Sequence, residues 1–549
     1  MKIALSQSNF LVGDFSGNLA HIQLQIQRAL HGNASLILFP ELSICGYPPR
    51  DFLDYKHFTK RSMESIQELK AFSIDKDIAI VVGSPSFNKQ KLGKELHNTA
   101  FVIYKGDIIH TTDKALLPTY DIFDEYRYFE PGDSFTPFLY KGKKIGVTIC
   151  EDIWDTGVED PLYKVNPVAE LASHDIDILL NLSASPFAYD HTATRRQIVK
   201  SNALFANAAV YYCNCCGANT DIIFDGGSLV CSPSGSVFLE AGFFEEELII
   251  IEHDHVAEYR SGDNFLPTDT YSLMHDALIL GIKDFFRKLG FSKAIIGLSG
   301  GVDSALVLYL AVRALGKDNV LSILMPSQYS TEGSIQHSIA LLENLQSPPH
   351  KIIPIQDVFH AFNEMLTPHF ENKAPNIAEE NIQARIRAIY LMALSNKFGH
   401  ILFNTTNKSE AAVGYGTLYG DMCGAIGVLG DVYKTQVYAL CRYINRDEEI
   451  IPTAIITKAP SAELRPGQKD SDSLPDYTIL DSILYEYIEK EQGPDDIIGL
   501  GYEDTLVNRI LRMVNHNEFK RYQTPPYLRV SSKAFGMGRR LPIVGKYLD

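Results

Sequence analysis

Nothing in this chain approaches 18 consecutive apolar residues, and its opening Met1-Lys-Ile-Ala-Leu-Ser-Gln-Ser has no signal-peptide core, so neither a membrane span nor secretion is expected. Basic residues are also in deficit. With 50 Lys and Arg against 67 Asp and Glu, the net charge is −17, which disfavours a broad nucleic-acid or anionic-membrane surface and leaves anionic ligands to local basic clusters. Eight cysteines in 549 residues are too few for a disulfide scaffold, and in a reducing compartment each must serve as core, ligand or nucleophile. Repeats and low-complexity tracts are missing as well. These absences predict a cytoplasmic enzyme acting on small molecules, with no nucleic acid and no membrane as partner.

What is present is enough for two cores, since 45% of the 549 residues are apolar. Up to about residue 255, short runs rich in apolar, β-branched or aromatic residues predict strands at Ile3 to Ser6, Leu36 to Phe39, Ile78 to Val82, Thr99 to Tyr104, Ile145 to Ile149, Ile178 to Asn181 and Ala209 to Cys213. Amphipathic helices fall between them, at Asn18 to Leu30 and Arg195 to Phe205. The polar stretch from Glu252 to Asp269 marks a linker, taken as 256–270, between domains of residues 1–255 and 271–549. Beyond it, helix Tyr271 to Leu289, strand Ala294 to Ile296, strand Val320 to Met325, helix Ser334 to Leu345 and strand Lys351 to Ile355 alternate as in a doubly wound parallel sheet.

That second sheet carries the most specific signal, the run Gly297, Leu298, Ser299, Gly300, Gly301, Val302, Asp303, Ser304 between a strand and a helix start. Glycines let the main chain approach an anion closely, the two serines add hydroxyl donors, and Asp303 suits a divalent metal. No Gly-x-x-x-x-Gly-Lys-Ser/Thr occurs in the chain. The pattern Ser-Gly-Gly-x-Asp-Ser instead resembles the PP-loop of ATP pyrophosphatases, which adenylate a substrate and release pyrophosphate.

In the first half, Phe39-Pro-Glu41, Lys114-Ala-Leu-Leu-Pro118 and Val147-Thr-Ile-Cys150-Glu-Asp-Ile-Trp each place one reactive side chain in or just after a strand. A thiol with a pKa near 8.5 is mostly protonated at neutral pH, so Cys150 as nucleophile needs a base such as Glu41 and a cation such as Lys114. The same lysine suits the oxyanion of a tetrahedral intermediate. A second cysteine group, Cys213-x-Cys215-Cys216, has no matching Cys or His pair at zinc spacing and reads as core.

On these residues the first 255 positions resemble the nitrilase superfamily, whose Glu-Lys-Cys triad falls on Glu41, Lys114 and Cys150. Cys150-Glu-Asp-Ile-Trp154 and Phe224-Asp-Gly-Gly-Ser228 resemble its glutaminase branch. Together with Glu380-Asn-Ile-Gln-Ala-Arg-Ile-Arg387, Thr406-Asn-Lys-Ser-Glu410, Gly414-Tyr-Gly-Thr-Leu-Tyr-Gly-Asp421 and Lys458-Ala-Pro-Ser-Ala-Glu463, the whole chain resembles the glutamine-dependent NAD synthetase family. The resemblance implies an α-β-β-α sandwich followed by a PP-loop domain. It implies glutamine hydrolysis at the first site, and at the second, amidation of deamido-NAD with ATP and Mg2+. It also implies glutamine contacts at Tyr120, Ser185 and, where the family often has a basic residue, His191. It puts ATP on the glycine loop and Thr405, magnesium on Asp303 and Glu410, and deamido-NAD near Asn381, Glu410, Tyr415, Gly416, Thr417, Leu418 and Lys520. Pairing of synthetase domains into a homo-oligomer is implied too.

Arg385 and Arg387 lie two apart on a predicted helix, so at most one of them faces a phosphate. The stretch Ser461 to Pro475 reads as a loop able to close over an adenylate. Two other functions remain open at this point. One is a different PP-loop ligase acting on tRNA or a purine nucleotide, of which the acidic charge disfavours the tRNA form. The other is an ammonia-dependent synthetase with an idle nitrilase-like scaffold, disfavoured by the intact triad.

Overall fold

The computed structural model describes residues 1–90, 92–156, 161–371 and 373–547. The chain divides between Asp269 and Thr270 into two compact units.

The first unit opens with β1 (Lys2–Gln7), α1 (Phe15–His31), β2 (Leu36–Leu38), α2 (Lys56–Ser73), β3 (Ala79–Phe87), β4 (Leu96–Tyr104), β5 (Asp107–Asp113), β6 (Phe138–Tyr140) and β7 (Lys143–Ile149). It continues through α3 (Pro167–Ala172), β8 (Ile178–Ser183), α4 (His191–Ala206), β9 (Ala209–Asn214), β10 (Cys216–Asn219), β11 (Ile222–Asp225), β12 (Leu229–Cys231), β13 (Val237–Glu240), β14 (Glu247–Glu252) and α5 (His253–Glu258). Two six-stranded sheets result, ordered β14-β1-β2-β3-β4-β5 and β13-β12-β9-β8-β7-β6.

Strand alternation makes these sheets a sandwich. In β3, Ala79 and Val81 face the core shared by the sheets while Ile80 and Val82 face α1 and α2 through Ile22, Ile26, Ile66 and Leu69. In β8, Leu180 and Leu182 take the shared core and Leu179 meets Val199 and Ala203 of α4. Both faces of these strands are covered, which explains runs without polar alternation. The order is helix layer, sheet, sheet, helix layer. β7, β8 and β9 are parallel neighbours, with Ile149 opposite Leu182 and Leu182 opposite Cys213, so the segments leaving their C-terminal ends emerge on one edge.

The second unit runs α6 (Thr270–Leu289), β15 (Ala294–Gly297), α7 (Val302–Leu315), β16 (Val320–Leu324), α8 (Glu332–Asn344), β17 (His350–Ile352), α9 (Gln356–Leu366), α10 (Ile377–Phe398) and β18 (Ile401–Asn404). It ends with α11 (Lys408–Val413), β19 (Ile426–Gly427), α12 (Lys434–Ile444), α13 (Thr453–Thr457), α14 (Tyr477–Ile488), α15 (Pro494–Gly499), α16 (Asp504–His516) and α17 (Glu518–Arg521). Its sheet is wholly parallel, ordered β17-β16-β15-β18-β19. Strand order reverses between β15 and β18, and a crevice outside their carboxyl ends is where such sheets bind ligands. The glycine loop leaves one of these strands, and Thr405 to Glu410 leave the other.

Several boundaries differ from expectation for local reasons. β17 stops at Ile352 because Pro354 lacks an amide donor, and β2 stops at Leu38 before Pro40. The stretch read as a linker from residue 256 is instead stitched to the first unit. Val256 is buried in the shared core, Asn264 N–H donates to the Val237 carbonyl at 3.0 Å, and Leu266 N–H donates to Glu240 at 2.7 Å. Polar anchors hold this segment, so its composition looked like a linker. Among the described residues no helix is long and apolar enough to cross a membrane.

Candidate functional site

In the first unit Cys150 comes immediately after β7, in the left-handed region at φ +44°, a strained backbone that reverses the chain into a 3-10 turn. Asp152 holds that turn by accepting N–H bonds from Ile149, Ala115 and Leu116 at 2.9 to 3.0 Å. One carboxylate therefore fixes the Cys150 turn against the segment following Lys114. Lys114 is fully buried and pairs with Glu41 at 2.7 Å and with Glu125 at 2.8 Å. Asn98 donates to the same Glu41 oxygen at 2.7 Å, while Glu41 Oε2 is buried with no hydrogen-bond partner among the described residues. A carboxylate held by one oxygen and open on the other is a ready proton acceptor.

Burial pushes the Cys150 thiol well above its ordinary value, Glu41, Glu151 and Glu125 push the same way, and Lys114 pulls against them. The resting group is a thiol. Burial works against the Lys114 charge, but Glu125 and Glu41 outweigh it and hold the ammonium well above its ordinary value. Glu125, buried between Lys114 and the Tyr47 hydroxyl, rises to about 6, chiefly by desolvation.

Of the expected glutamine contacts, Tyr120 donates to Glu151, the neighbour of Cys150, at 2.8 Å, and Tyr163 donates to the same oxygen at 3.1 Å. Ser185 lies two residues past β8, on the edge where Cys150 leaves β7, and its main-chain N–H donates to Asn214 at 2.9 Å. His191 is the first residue of α4, its N–H bonded to the Ala188 carbonyl. Sequence reasoning missed Glu125 and Asn98, which no motif flags. Cys213, Cys215 and Cys216 are buried, and no group of three or more metal-ligating side chains occurs among the described residues.

The second unit has a cavity of about 290 Å³ at the β15/β18 crevice. Gly297, Leu298, Ser299, Gly301, Val302, Asp303, Ser304, Thr405, Glu410 and Tyr415 line it, joined by Arg387 and Lys434. Gly300 adopts φ +80°, and a Cβ there would stand 2.5 Å from the Ser334 carbonyl oxygen, so the loop requires glycine. Ser304 and Ser299 tie the loop through bonds of 3.1 and 3.2 Å.

Lys434 Nζ stands 2.5 Å from Asp303 and 3.5 Å from Glu410, while Asn407 donates to the other Asp303 oxygen at 2.9 Å. Burial raises Glu410 to about 8 against the pull of Lys434, with Asp303 and Asp470 adding to the rise. Two carboxylates thus converge beside an anion cradle with one lysine to balance them. Mg2+ commonly takes one or two carboxylates and completes its shell with water and phosphate oxygens, so this donor set fits it. Arg387 faces the cavity, lowered to about 10 by burial, whereas Arg385 bonds the Leu418 carbonyl.

Asn381, Gly416, Thr417, Leu418 and Lys520 form an adjoining cluster rather than cavity wall. Thr417 donates to Asn381 at 2.8 Å, and Lys520 Nζ donates to the Gly414 and Gly416 carbonyls at 2.7 and 3.1 Å. The Ser461 to Pro475 stretch is pinned at Glu463, which accepts from Lys458, Ser334 and Thr331 at 2.7 to 3.2 Å.

Known proteins match this arrangement over both units. The carbon-nitrogen hydrolase family model matches residues 2–261 and the NAD synthase model residues 274–524. A glutamine-dependent NAD(+) synthetase of Synechocystis is 44% identical over 548 residues, covering 98% of each chain. One from Thermotoga maritima is 38% identical over 585 aligned positions, covering 100% of this chain and 99% of its own. A solved structure of glutamine-dependent NAD+ synthetase from Acinetobacter baumannii, in complex with ADP, superposes with a TM-score of 0.77 at 36% identity, covering 99% of this chain and 98% of its own. Similarity of this extent settles the kinship, and the chain belongs to the glutamine-dependent NAD(+) synthetase family.

Proposed function

We propose that the chain makes NAD from deamido-NAD, ATP and glutamine, with the first unit releasing ammonia and the second consuming it. The observation that carries this reading is the presence on one chain of a buried thiol beside a Glu-Lys pair and a glycine-loop cavity opening onto two carboxylates. The names of the relatives support it.

Cys150 is the nucleophile. Because its thiol starts neutral, Glu41 takes the proton on Oε2 as sulfur attacks the glutamine amide carbon. Lys114 supports the oxyanion. Collapse expels ammonia with the proton from Glu41 and leaves a thioester, which water, deprotonated by Glu41, converts to glutamate and free thiol. Tyr120, Ser185 and His191 are assigned to hold glutamine.

In the second unit, the deamido-NAD carboxylate attacks the ATP α-phosphorus and displaces pyrophosphate. Ammonia then attacks the acyl carbon, and AMP leaves. Gly297 through Ser304, with Thr405, cradle the triphosphate; Asp303 and Glu410 would hold Mg2+, which when bound would neutralise phosphate charge. Asn381, Glu410, Tyr415, Gly416, Thr417, Leu418 and Lys520 are assigned to deamido-NAD. The ADP in the Acinetobacter baumannii structure supports an adenine nucleotide here. These substrates suit a cytoplasmic enzyme without nucleic-acid or membrane partners. Exposed Ile377, Ile389 and Met392 on α10 support homo-oligomer formation through the second unit.

The test is product analysis with ATP, glutamine and deamido-NAD, which should yield NAD, AMP, pyrophosphate and glutamate in equal amounts. Turnover that instead requires tRNA or xanthylate would replace this reading.

A further inference from the structure

Glu410 rides on α11, which is six residues long, and a helix of that length has no stability of its own in water. Its place must be set by side chains reaching it from elsewhere. At its C-terminal end the buried Arg521 guanidinium donates to the Ala411 and Ala412 carbonyls at 3.1 and 2.6 Å. At its N-terminal end the first residue, Lys408, is anchored to Asp431 and Glu489 at 2.9 and 2.8 Å, and Ser409, the neighbour of Glu410, is fully buried. The Ser409 hydroxyl donates to one oxygen of Asp481, on α14, at 2.5 Å and accepts the Lys434 main-chain N–H at 2.9 Å.

The other Asp481 oxygen accepts both the Thr435 N–H and the Thr435 hydroxyl at 2.8 Å. Thr435 is the second residue of α12 and follows Lys434, whose ammonium stands between Asp303 and Glu410. One nearly buried carboxylate therefore binds the first turns of both helices that reach toward Asp303. Carboxylates facing helix N-termini are held by the amide dipoles there. Three donors converge on Asp481 and offset part of the cost of burying it, though burial still lifts its carboxyl above the ordinary value.

We propose that Asp481 is a positioning residue of the adenylation site: through Ser409 and Thr435 it fixes the separation of Glu410 and Lys434 from Asp303. This rests on the reading of that site given above. Without Asp481, α11 and α12 lose their shared acceptor. The 3.5 Å contact between Lys434 and Glu410 then loosens before the 2.5 Å pair with Asp303 does. A magnesium site shared by Asp303 and Glu410 loses its geometry while the glycine loop keeps its own.

The test uses the full chain with Asp481→Asn, Asp481→Ala, Ser409→Ala and Thr435→Val, and Asp303→Asn as reference. Ammonium-dependent pyrophosphate release is titrated with magnesium, and binding of a non-hydrolysable ATP analogue is followed by calorimetry with and without magnesium. Asp481→Asn should raise the magnesium concentration for half-maximal rate about ten-fold, the lower end for outer-sphere partners of metal ligands. Analogue affinity should fall in magnesium and change little without it. Glutamine hydrolysis should be unaffected, and Ser409→Ala and Thr435→Val should shift magnesium dependence the same way by less.

A folded Asp481→Asn chain with a lowered unfolding temperature but normal magnesium dependence would make the residue a structural clip and overturn the proposal. If neither Asp481 variant folds, unchanged magnesium dependence in both Ser409→Ala and Thr435→Val overturns it equally. Normal pyrophosphate release in Asp303→Asn would instead sink the reading of the site itself.

Discussion

Each unit wedges a lysine between two carboxylates, yet the two arrangements differ in what surrounds them. Lys114 pairs with Glu41 and Glu125 in a dry pocket where the lysine and Glu41 side chains are fully buried. Lys434 pairs with Asp303 and Glu410, whose side chains remain 17% and 18% exposed on a 290 Å³ cavity. Burial suits the first, because a cation fixed where an oxyanion develops acts most strongly where it is screened least. Openness suits the second. On the proposed reading a polyanion enters there, and burial, with Asp303 and Asp470 adding to it, lifts Glu410 to about 8, a cost that a divalent cation would relieve. On the proposed reading, the same three-charge motif would serve proton transfer when sealed and metal-assisted phosphate chemistry when open.

The largest effect should come from removing the first site alone. Cys150→Ala should abolish glutamine-dependent NAD formation and leave the ammonium-dependent rate within about two-fold, since the thiol serves only one chemistry. Glu41→Gln and Lys114→Met should each lower glutamine hydrolysis about 100-fold or more with the same ammonium rate. Steady-state assays with both nitrogen sources check this, and loss of both activities in folded protein would merge what the comparison separates.

Next in size, Asp303→Asn and Glu410→Gln should lower pyrophosphate release about 100-fold or more from either nitrogen source, because the charge on ATP must be neutralised before any nucleophile arrives. Glutamine hydrolysis should continue at a basal rate. Unchanged pyrophosphate release at ordinary magnesium would remove these carboxylates from the metal.

Much of this was legible in the sequence, and the limits are physical. Strand-turn-helix spacing pointed to the Gly297 to Ser304 loop, which lines the cavity, and strand-end contexts pointed to Glu41, Lys114 and Cys150, which the fold brings together, because their positions depend on local backbone. Glu125 and Lys434 were missed because each acts through a partner far along the chain: Glu125 meets Glu41 through Lys114, and Lys434 is 131 residues from Asp303. Asp481 is more remote still, known only by what it binds. The 256–270 segment misled for the opposite reason, since polar side-chain anchors look like solvent exposure.

A smaller effect concerns pH. Burial raises Glu125 to about 6 from an ordinary 4.5, so on acidification the folded chain takes up this proton before the unfolded chain does. Glu125 therefore costs stability above about pH 6 and ceases to as pH falls through 6 toward 4.5. Protonation also removes one of the two anions holding Lys114, so glutamine hydrolysis should show an acid limb with a midpoint near 6. Glu125→Gln should flatten that limb. An unaltered limb in the variant would assign it to another group.

The smallest effect is at His191, the first residue of α4. His191→Lys should lower the glutamine KM about three-fold, since a fixed cation near the substrate carboxylate contributes of the order of a surface ion pair. An unchanged KM in both His191→Lys and His191→Ala would remove this residue from the glutamine site.

The central claim is that nitrogen freed at the dry site is used at the open one. Its most direct measurement is mass spectrometry of NAD made by the intact chain from ATP, deamido-NAD and glutamine carrying 15N in its side-chain amide. The account predicts 15N in the NAD carboxamide and none when Cys150→Ala is supplied with labelled glutamine and unlabelled ammonium. Glutamate formation without label in NAD, or label in NAD made by the Cys150→Ala chain, would contradict it.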